Sequence, residues 1–315
     1  MDAKLTNLLK NANTKLMCYV ESPFQLIQAY ELSKISKNKM KIYVRTNGKK
    51  NNDEQLGRLI LLFRLQNVEL IKISLGTKGL LKHLRTVIMM FRFDIIVIGD
   101  PKSFLNKIVM LIPYRFCKSK LLYLDDGTST LTDDNTNKRF LRFTIFSNVV
   151  GNYIHNNFFN LKEIISSNCD VKETKNIIIG SPLVDSGAIS IEKYRMNIRS
   201  MLDQIDNSYE VIYIAHRNES DEIIRNVLSG LEISSYRLMY PIELISYELK
   251  IVLTTLHSVI STAVFSMKII YPSCKVFLYR DCDNKLKLKD RCVEDRIYSY
   301  FKSSSTGTLI FHDSL

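Results

Sequence analysis

Long hydrophobic runs are missing from this sequence of 315 residues. The longest uninterrupted runs, such as 95–98 and 108–113, are far shorter than the roughly 20 residues that span a bilayer. We therefore expect no transmembrane helix. Residues 1–15 mix lysine with asparagine and lack both an unbroken apolar stretch and a small-residue cleavage site. This pattern predicts a cytoplasmic protein.

Tryptophan is absent, and the six cysteines are scattered without a CxxC pair or a histidine at metal-ligand spacing. Such cysteines are typical of reduced, packing thiols, so we assign no disulfide and no zinc site. Tyrosine (16) and phenylalanine (15) are plentiful but spread through apolar segments. An RNA-reading sheet would instead cluster them with arginine and glycine, so nucleic-acid binding is disfavoured.

The charge balance is strongly basic. Lysine and arginine number 44 against 32 acidic residues, a net charge of +12. This excess favours an anionic partner, which can be a nucleotide, a nucleic acid or an acidic membrane surface. Hydrophobic residues make up 46% and charged residues 24%, which is the composition of a folded chain with one or two cores.

Short apolar runs alternate with longer segments of helical period, which is typical of βαβ units and a parallel sheet. In the first half, strands are predicted at 16–20, 40–45, 69–74, 94–99 and 120–124. The helices between them are predicted at 23–36, 53–65, 78–91 and 102–113. A polar patch at 166–175 is predicted to be a linker.

After this patch the alternation restarts. Strands are predicted at 176–179, 210–215, 237–240, 251–254 and 275–279. Helices are predicted at 190–204, 221–228, 241–249 and 261–267. The pattern therefore predicts an α/β protein with two doubly wound, Rossmann-like domains, 1–172 and 173–315, facing each other across a cleft.

Two adjacent carboxylates, Asp125 and Asp126, stand where a predicted strand meets Gly127. At the carboxyl edge of a sheet, one of them could accept a proton from a substrate hydroxyl. The alternative is a structural loop in which an Asp caps the backbone and the glycine supplies a positive φ. The polar stretch 128–137 is predicted to be a mobile loop at the same edge.

Two further motifs follow predicted strands in the second half. His216 and Arg217 precede a helix, where the imidazole could bind a phosphate and donate a proton to it. Ser261 and Thr262 open another helix, where hydroxyl and N–H groups could hold a phosphate. A structural histidine and ordinary N-caps are the alternatives.

Several motifs follow one another over most of the chain: the hexapeptide ESPFQL at 21–26, Asp125–Asp126–Gly127, Gly180–Ser181–Pro182, Ala215–His216–Arg217 and Ser261–Thr262. Their order resembles that of the bacterial sialyltransferases. The chain looks most similar to the lipooligosaccharide sialyltransferases of glycosyltransferase family 52 and to the bacterial polysialyltransferases.

This resemblance implies a GT-B fold, CMP-activated sialic acid as donor, inversion at the anomeric carbon, and neither a metal nor another cofactor. Carried over, Asp125 or Asp126 would be the general base for the acceptor hydroxyl, with Asp125 preferred, and His216 would be the phosphate-binding acid. The residues expected on the donor side are Gly180, Ser181, Arg217, Ser261 and Thr262.

The sequence departs from the family pattern at several positions. Arg217 stands where the family usually has proline, and Ser261–Thr262 replaces two serines. Some relatives carry a carboxylate directly after the Gly-Ser-Pro motif, where this chain has Leu183, so Asp185 is a rival base.

Other charged residues allow two interpretations each. Glu243 opens a predicted helix in the second domain. The likeness to GT-B enzymes, which often place a Glu on the donor ribose there, implies a ribose ligand, whereas a favourable interaction with the helix dipole is the alternative. Asp281 and Asp283 have the spacing of a metal-binding DxD motif, but a surface turn is favoured. The basic segments 78–93 and 285–291 could contact an anionic membrane, whereas a buried crossover helix and a solvated edge are the alternatives.

The resemblance implies a sialyltransferase that transfers sialic acid from CMP-sialic acid to a galactose-terminated surface glycan. The acceptor would be a lipid-linked lipopolysaccharide, O-antigen or capsule intermediate, and peripheral contact with the inner membrane is one way to reach it. A GT-B enzyme that uses another nucleotide sugar is the first alternative. The second is a basic protein that binds nucleic acid or an anionic surface.

Overall fold

The computed structural model describes most of the chain. The described residues are 9, 11, 13–36, 39–46, 48–72, 85–86, 88–90, 92–99, 120–132, 141–146, 152–168, 170, 173–206, 208–259, 261, 263–280, 288–304 and 307–312. The chain divides into two compact units, Met1–Glu163 and Ile164–Leu315. We call them unit 1 and unit 2; the sequence-based boundary lay at residue 172.

Unit 1 is built on a seven-stranded sheet in the order β3-β2-β1-β4-β5-β6-β7, in which every pairing is parallel. Its strands are β1 Leu16–Val20, β2 Lys41–Thr46, β3 Val68–Lys72, β4 Ile95–Ile98, β5 Lys120–Leu124, β6 Leu141–Thr144 and β7 Asn152–His155. Its helices are α1 Pro23–Ile35, α2 Lys50–Leu62 and α3 Phe159–Ser167, the last of which continues into unit 2.

The central strands of unit 1 consist almost entirely of apolar residues. All residues of β1 and β4 are buried, as expected for strands of a parallel sheet that is covered on both faces. The strand order reverses between β1 and β4, and ligands of doubly wound sheets bind at the carboxyl ends of the strands that flank such a reversal. This edge contains the residues that directly follow β1, β4 and β5.

Helix α1 begins sharply because Ser22 caps it and Pro23 occupies its first turn. On this helix Glu31 is buried, and its carboxylate accepts the N–H groups of Asn160 at 3.2 Å and Leu161 at 2.7 Å. The side-chain amide of Asn160 donates to the same carboxylate at 2.8 Å. A carboxylate on α1 thus satisfies N–H groups at the start of α3.

Unit 2 contains a six-stranded parallel sheet in the order β10-β9-β8-β11-β12-β13. Its strands are β8 Glu173–Ile179, β9 Val211–Ile214, β10 Ser234–Tyr236, β11 Ile251–Val259, β12 Lys275–Tyr279 and β13 Leu309–His312. Its helices are α4 Ile191–Leu202, α5 Asp221–Leu228, α6 Ile245–Leu249, α7 Ala263–Ile270 and α8 Leu288–Ser303. The strand order reverses between β8 and β11. The loops after β8, β9 and β11 are therefore where this sheet is expected to bind a ligand, as the loops after β1, β4 and β5 are in unit 1.

Several sequence predictions need correction. The strand predicted at 237–240 is wrong, because the strand there is β10 and residues 237–240 follow it. The patch 166–175 is not only a linker, since it contains the end of α3 and the start of β8. Strands β6, β7 and β13 and helices α3 and α8 were not predicted. The predicted helix at 102–113 and most of 78–91 lie outside the described residues.

Within the described ranges, no helix is long and apolar enough to cross a membrane.

Candidate active-site residues at the strand ends

Asp126 lies just beyond β5 and is partly exposed. Its Oδ1 accepts a hydrogen bond from Gln25 Nε2 at 2.8 Å, and its backbone N–H donates to Thr130 Oγ1 at 3.1 Å. Gln25 belongs to the first turn of α1, and its Oε1 accepts the Glu21 N–H at 2.8 Å. The carboxylate that follows β5 is thus held by the turn that follows β1.

Gly99, after β4, makes room for this contact. A Cβ at this position would lie 2.1 Å from Cδ of Gln25, so any larger residue would displace the amide. Residues that follow β1, β4 and β5 therefore meet at the edge of the sheet where the strand order reverses.

Asp125 is only 1% exposed. Its two carboxylate oxygens accept hydrogen bonds from Thr144 Oγ1 and from the Ile145 N–H, each at 2.7 Å. Burial raises the pKa of Asp125 to about 7, while these two hydrogen bonds act in the opposite direction. Gln28 exchanges hydrogen bonds with the backbone of Asp125 at 2.9 and 3.0 Å.

The structure therefore separates the two adjacent carboxylates. Asp125 ties β5 to the end of β6, whereas Asp126 has the exposed surface that a group acting on a substrate needs. The sequence-based preference for Asp125 as the base does not fit this geometry, which favours Asp126.

In unit 2, His216 follows β9 and is partly exposed. Burial, together with the charges of Arg217 and Arg237, lowers the pKa of His216 to about 4. The imidazole is therefore neutral near pH 7. Its Nδ1 accepts the Asn218 N–H at 3.2 Å, so the ring proton lies on Nε2. In this state His216 offers a neutral N–H donor at Nε2.

Glu219 organises the loop that contains His216. It is 4% exposed, and its Oε2 accepts the His216 N–H at 2.6 Å. Its Oε1 accepts the hydroxyls of Tyr213 at 2.6 Å and Tyr194 at 3.4 Å. Burial raises the pKa of Glu219 to about 7, and the hydrogen bonds from Tyr213 and His216 oppose the rise. Sequence reasoning did not single out this residue.

The loop after β8 is connected to the same network. The Ser181 N–H donates to the Tyr194 hydroxyl at 2.7 Å. Gly180 packs so closely that a Cβ there would lie 2.2 Å from Glu219 Oε2. Gly180 and Ser181, which were predicted to bind the donor sugar nucleotide, thus adjoin the loop of His216. The Ser181 N–H, however, already donates a hydrogen bond within the protein.

Arg237 fixes the other side of the His216 loop. Its guanidinium donates to the carbonyl oxygens of His216 at 2.9 Å and Glu219 at 2.8 Å, and it pairs with Asp221 at 2.7 Å.

Asp185, the rival base, is exposed and accepts the Ser220 N–H at 3.2 Å, which places it at the start of α5. The two candidate bases therefore belong to different units.

The remaining residues that were predicted to bind the donor sugar nucleotide lie near the start of α7. Glu243 is 4% exposed, and its Oε1 accepts the Ser266 hydroxyl at 2.7 Å. Burial raises the pKa of Glu243, whereas the hydrogen bond from Ser266 and the charge of Arg217 lower it. Ser261 is partly exposed, and its Oγ accepts the Ala263 N–H at 3.3 Å. Thr262 lies outside the described residues.

His257, which precedes this motif, belongs to the core. Its ring nitrogens contact the hydroxyls of Tyr279 at 2.8 Å and Thr255 at 3.0 Å, and it stacks on Phe277. Asp281 and Asp283 lie outside the described residues. In the part of the chain that the structure describes, no three His, Cys, Asp or Glu side chains converge as metal ligands would.

Neither a protein-family model nor a curated protein sequence matches this chain. Solved structures do match it. The putative UDP-N-acetylglucosamine 2-epimerase of Listeria monocytogenes is 12% identical with a TM-score of 0.58, over 95% of this chain and 92% of that one. The UDP-GlcNAc 2-epimerase of Neisseria meningitidis, bound to UDP-GlcNAc, is 11% identical with a TM-score of 0.57, over 92% of each chain.

A 2,6-sialyltransferase from a Photobacterium species is also similar. Its structure, a ternary complex with CMP and lactose, is 10% identical with a TM-score of 0.54, over 95% of this chain and 78% of that one. At such identities the likeness concerns the fold. The chain has an α/β fold of the GT-B type, with two parallel sheets, as the sequence predicted.

Proposed function

We propose that this protein is an inverting, metal-independent sialyltransferase that transfers sialic acid from CMP-sialic acid to a galactose-terminated glycan. The observation that carries the proposal is the partly exposed carboxylate of Asp126, held by Gln25 at the edge where the strand order of unit 1 reverses. The motif order along the sequence and the similar fold of a sialyltransferase that binds CMP and lactose support it.

In the proposed reaction, the acceptor hydroxyl oxygen attacks the anomeric carbon of the sialic acid from the face opposite CMP. The bond between this carbon and the phosphate oxygen breaks, and CMP leaves with the bonding electrons. Asp126 takes the proton of the hydroxyl as general base. Attack from the opposite face inverts the anomeric configuration.

Unit 2 would hold the leaving phosphate. The neutral His216 offers Nε2–H, and Arg217 offers a positive charge in the same loop. Ser261, after β11, adds a hydroxyl at the start of α7. Positive charge and N–H donors stabilise negative charge that develops on a leaving phosphate, so this set of groups would work without a metal.

A second candidate is a GT-B enzyme acting on a UDP-sugar. The observation that favours it is the similar fold of the UDP-GlcNAc 2-epimerases, whose TM-scores reach 0.58. A thermal shift measurement separates the two candidates. Under the sialyltransferase proposal CMP raises the melting temperature and UDP does not, whereas the reverse result favours the UDP-sugar enzyme.

The decisive experiment is transfer from CMP-sialic acid to lactose and other galactosides in the presence of EDTA. Asp126→Asn and His216→Ala should lose activity by about two orders of magnitude or more. Asp185→Asn and His155→Ala, which change exposed positions, should retain it.

Sialylated product that resists EDTA and disappears in Asp126→Asn is the expected result. Loss of activity in Asp185→Asn alone would identify Asp185, in unit 2, as the base and refute the role of Asp126. No transfer and no CMP release from folded wild-type protein would refute the function. Salt-sensitive nucleic-acid binding that survives both Asp126→Asn and His216→Ala would then support the nucleic-acid alternative.

A further inference from the structure

A second polar cluster lies beside Asp126 on the same edge of unit 1. Arg45, near the end of β2, donates to Glu21 Oε1 at 2.5 Å. Asn52 donates from Nδ2 to the backbone oxygen of Glu21 at 3.3 Å. Glu21 directly follows β1 and is the first residue of the hexapeptide ESPFQL at 21–26. This motif therefore takes part in a defined set of hydrogen bonds at the edge of the sheet.

The cluster contains polar atoms without partners. Among the described residues, Arg45 Nε and Tyr19 Oη are buried and make no hydrogen bond. Tyr19 is 1% exposed and precedes Glu21 by two positions. Tyr19 pairs with Tyr43 in the parallel register of β1 and β2. Glu21 follows Tyr19, and Arg45 follows Tyr43, by two positions, and alternate residues of a strand point to the same face of the sheet. Burial raises the pKa of Tyr19, Glu21 adds to the rise and Arg45 opposes it. Buried donors are rarely left unpaired, and each one requires an explanation.

The position of the cluster suggests what its donors bind. Only the side-chain amide of Gln25 separates the Glu21 N–H from the Asp126 carboxylate. A molecule that presents a hydroxyl to Asp126 and extends along this edge toward β1 and β2 would reach Glu21 and Arg45. Both side chains retain some exposure, 20% for Glu21 and 30% for Arg45.

The charges indicate a neutral ligand. Glu21 and Arg45 neutralise each other, so the pair has no surplus positive charge for a phosphate or a carboxylate. A carboxylate accepts from hydroxyl protons, while Arg Nε–H and a phenol donate to hydroxyl oxygens. Adjacent hydroxyls of a sugar ring present both kinds of group.

We propose that Glu21, Arg45 and Tyr19 form a subsite that binds the hydroxyls of a neutral sugar of the acceptor. The inference rests on the proposed function, because it uses Asp126 as the group that meets the acceptor. It names the acceptor-recognition residues, which neither the motif order nor the comparisons assign.

The test measures saccharide binding and turnover separately. Lactose binding without donor is followed by saturation-transfer NMR, and the Michaelis constants for lactose and for CMP-sialic acid are measured in the transfer assay. Tyr19→Phe is the most informative variant, because it removes an oxygen that has no partner in the fold. Glu21→Gln and Arg45→Met test the pair itself.

Lys41→Met is the matched control. Lys41 pairs with Glu69 at 2.9 Å on the same sheet but begins β2, at the end away from Asp126. We expect the lactose KM to rise about tenfold in Glu21→Gln and Arg45→Met and about threefold or more in Tyr19→Phe. The donor KM and the melting temperature of Tyr19→Phe should remain those of the wild type, and Lys41→Met should change neither KM.

Each outcome decides the proposal. Active variants with an unchanged lactose KM and an unchanged lactose NMR signal would overturn the subsite while leaving the sialyltransferase function intact. A wild-type protein that binds lactose without transferring sialic acid, and whose variants lose that binding, would support the subsite and refute the function. Absence of lactose binding in a folded, inactive wild type would overturn both.

Discussion

Gln25 and Asp126, which are 101 positions apart in the sequence, are joined by a 2.8 Å hydrogen bond at the edge of the unit 1 sheet. The same amide is fixed at its oxygen by the Glu21 N–H. The amide therefore presents an N–H, and not an oxygen, to the carboxylate. A fixed donor of this kind stabilises the ionised form that a general base needs.

Gln25→Glu tests this relationship. The substitution replaces the donor with a second carboxylate, and like charges oppose ionisation of a neighbouring acid. The acidic limb of the pH profile of kcat/KM should move about one unit or more to higher pH, with lower activity at pH 6. Gln25→Met, which removes the donor without adding charge, should lower activity with a smaller movement of this limb. Superimposable profiles for Gln25→Glu and the wild type would contradict the role.

Binding of CMP should change the titration of His216. In the free protein, burial and the charges of Arg217 and Arg237 lower the pKa of His216 to about 4. A bound phosphate brings negative charge to the ring and favours the protonated form, so the pKa should rise by roughly one unit or more. NMR of the imidazole protons measures this with and without CMP. His155 is the internal control, and an unchanged His216 titration in saturating CMP would contradict phosphate binding at this ring.

Glu219 should make stability depend on pH. Because burial raises the pKa of Glu219 from about 4.5 to about 7, the folded state binds its proton more tightly than the unfolded state does. The free energy of unfolding therefore falls as pH rises from about 4.5 to about 7, by up to about 3 kcal/mol. In Glu219→Gln this contribution disappears.

The difference between wild type and variant isolates Glu219 from its neighbours. Asp125 also has a raised pKa and gives the same sign, whereas the lowered pKa of His216 and His257 gives the opposite sign. The groups that face Glu219 are Tyr213, Tyr194, His216, Asp185 and Arg237. Denaturant unfolding at a series of pH values gives the comparison, and parallel curves for the two proteins would contradict the prediction.

Gly180→Ala should destabilise unit 2. The new methyl group would lie 2.2 Å from Glu219 Oε2 and 2.4 Å from the Tyr213 hydroxyl, so these two buried side chains would have to move. We expect a loss of about 1–3 kcal/mol and weaker CMP binding. Gly57→Ala is the control, since it lies within α2 with nothing within 4 Å of the added carbon. It should be neutral or stabilising by up to about 1 kcal/mol. Equal melting temperatures for both variants would refute the packing argument.

The sequence predicted the elements whose ends carry strong local signals. Strands β1, β5 and β12 and helix α5 have the predicted bounds. Helix α5 begins at a Ser220 cap followed by two acids, a pattern that can be recognised without the fold. Strands β6 and β7 have only four residues each and contain polar side chains, so they show no clear apolar run.

The candidate site was predictable only in part. Asp126 and His216 could be recognised because each follows an apolar strand, and strand ends are where such sheets bind ligands. The choice between Asp125 and Asp126 could not be made, because it depends on hydrogen bonds from β6, which the sequence pattern did not reveal. The contacts of Gln25 and Arg45 likewise depend on strand order, which brings together segments distant in the chain.

The hydrogen bonds of the Glu31 carboxylate determine which amino-terminal fragments of unit 1 can stay folded. A fragment that ends before Asn160 would leave this buried acid without the N–H groups that solvate it in the intact protein. Each hydrogen bond to a charged group contributes about 1.5–3 kcal/mol, so the loss of all three removes a large part of the stability of a domain. Limited proteolysis that trims the chain back to β7 should therefore release no stable amino-terminal product, whereas cleavage beyond α3 can leave one.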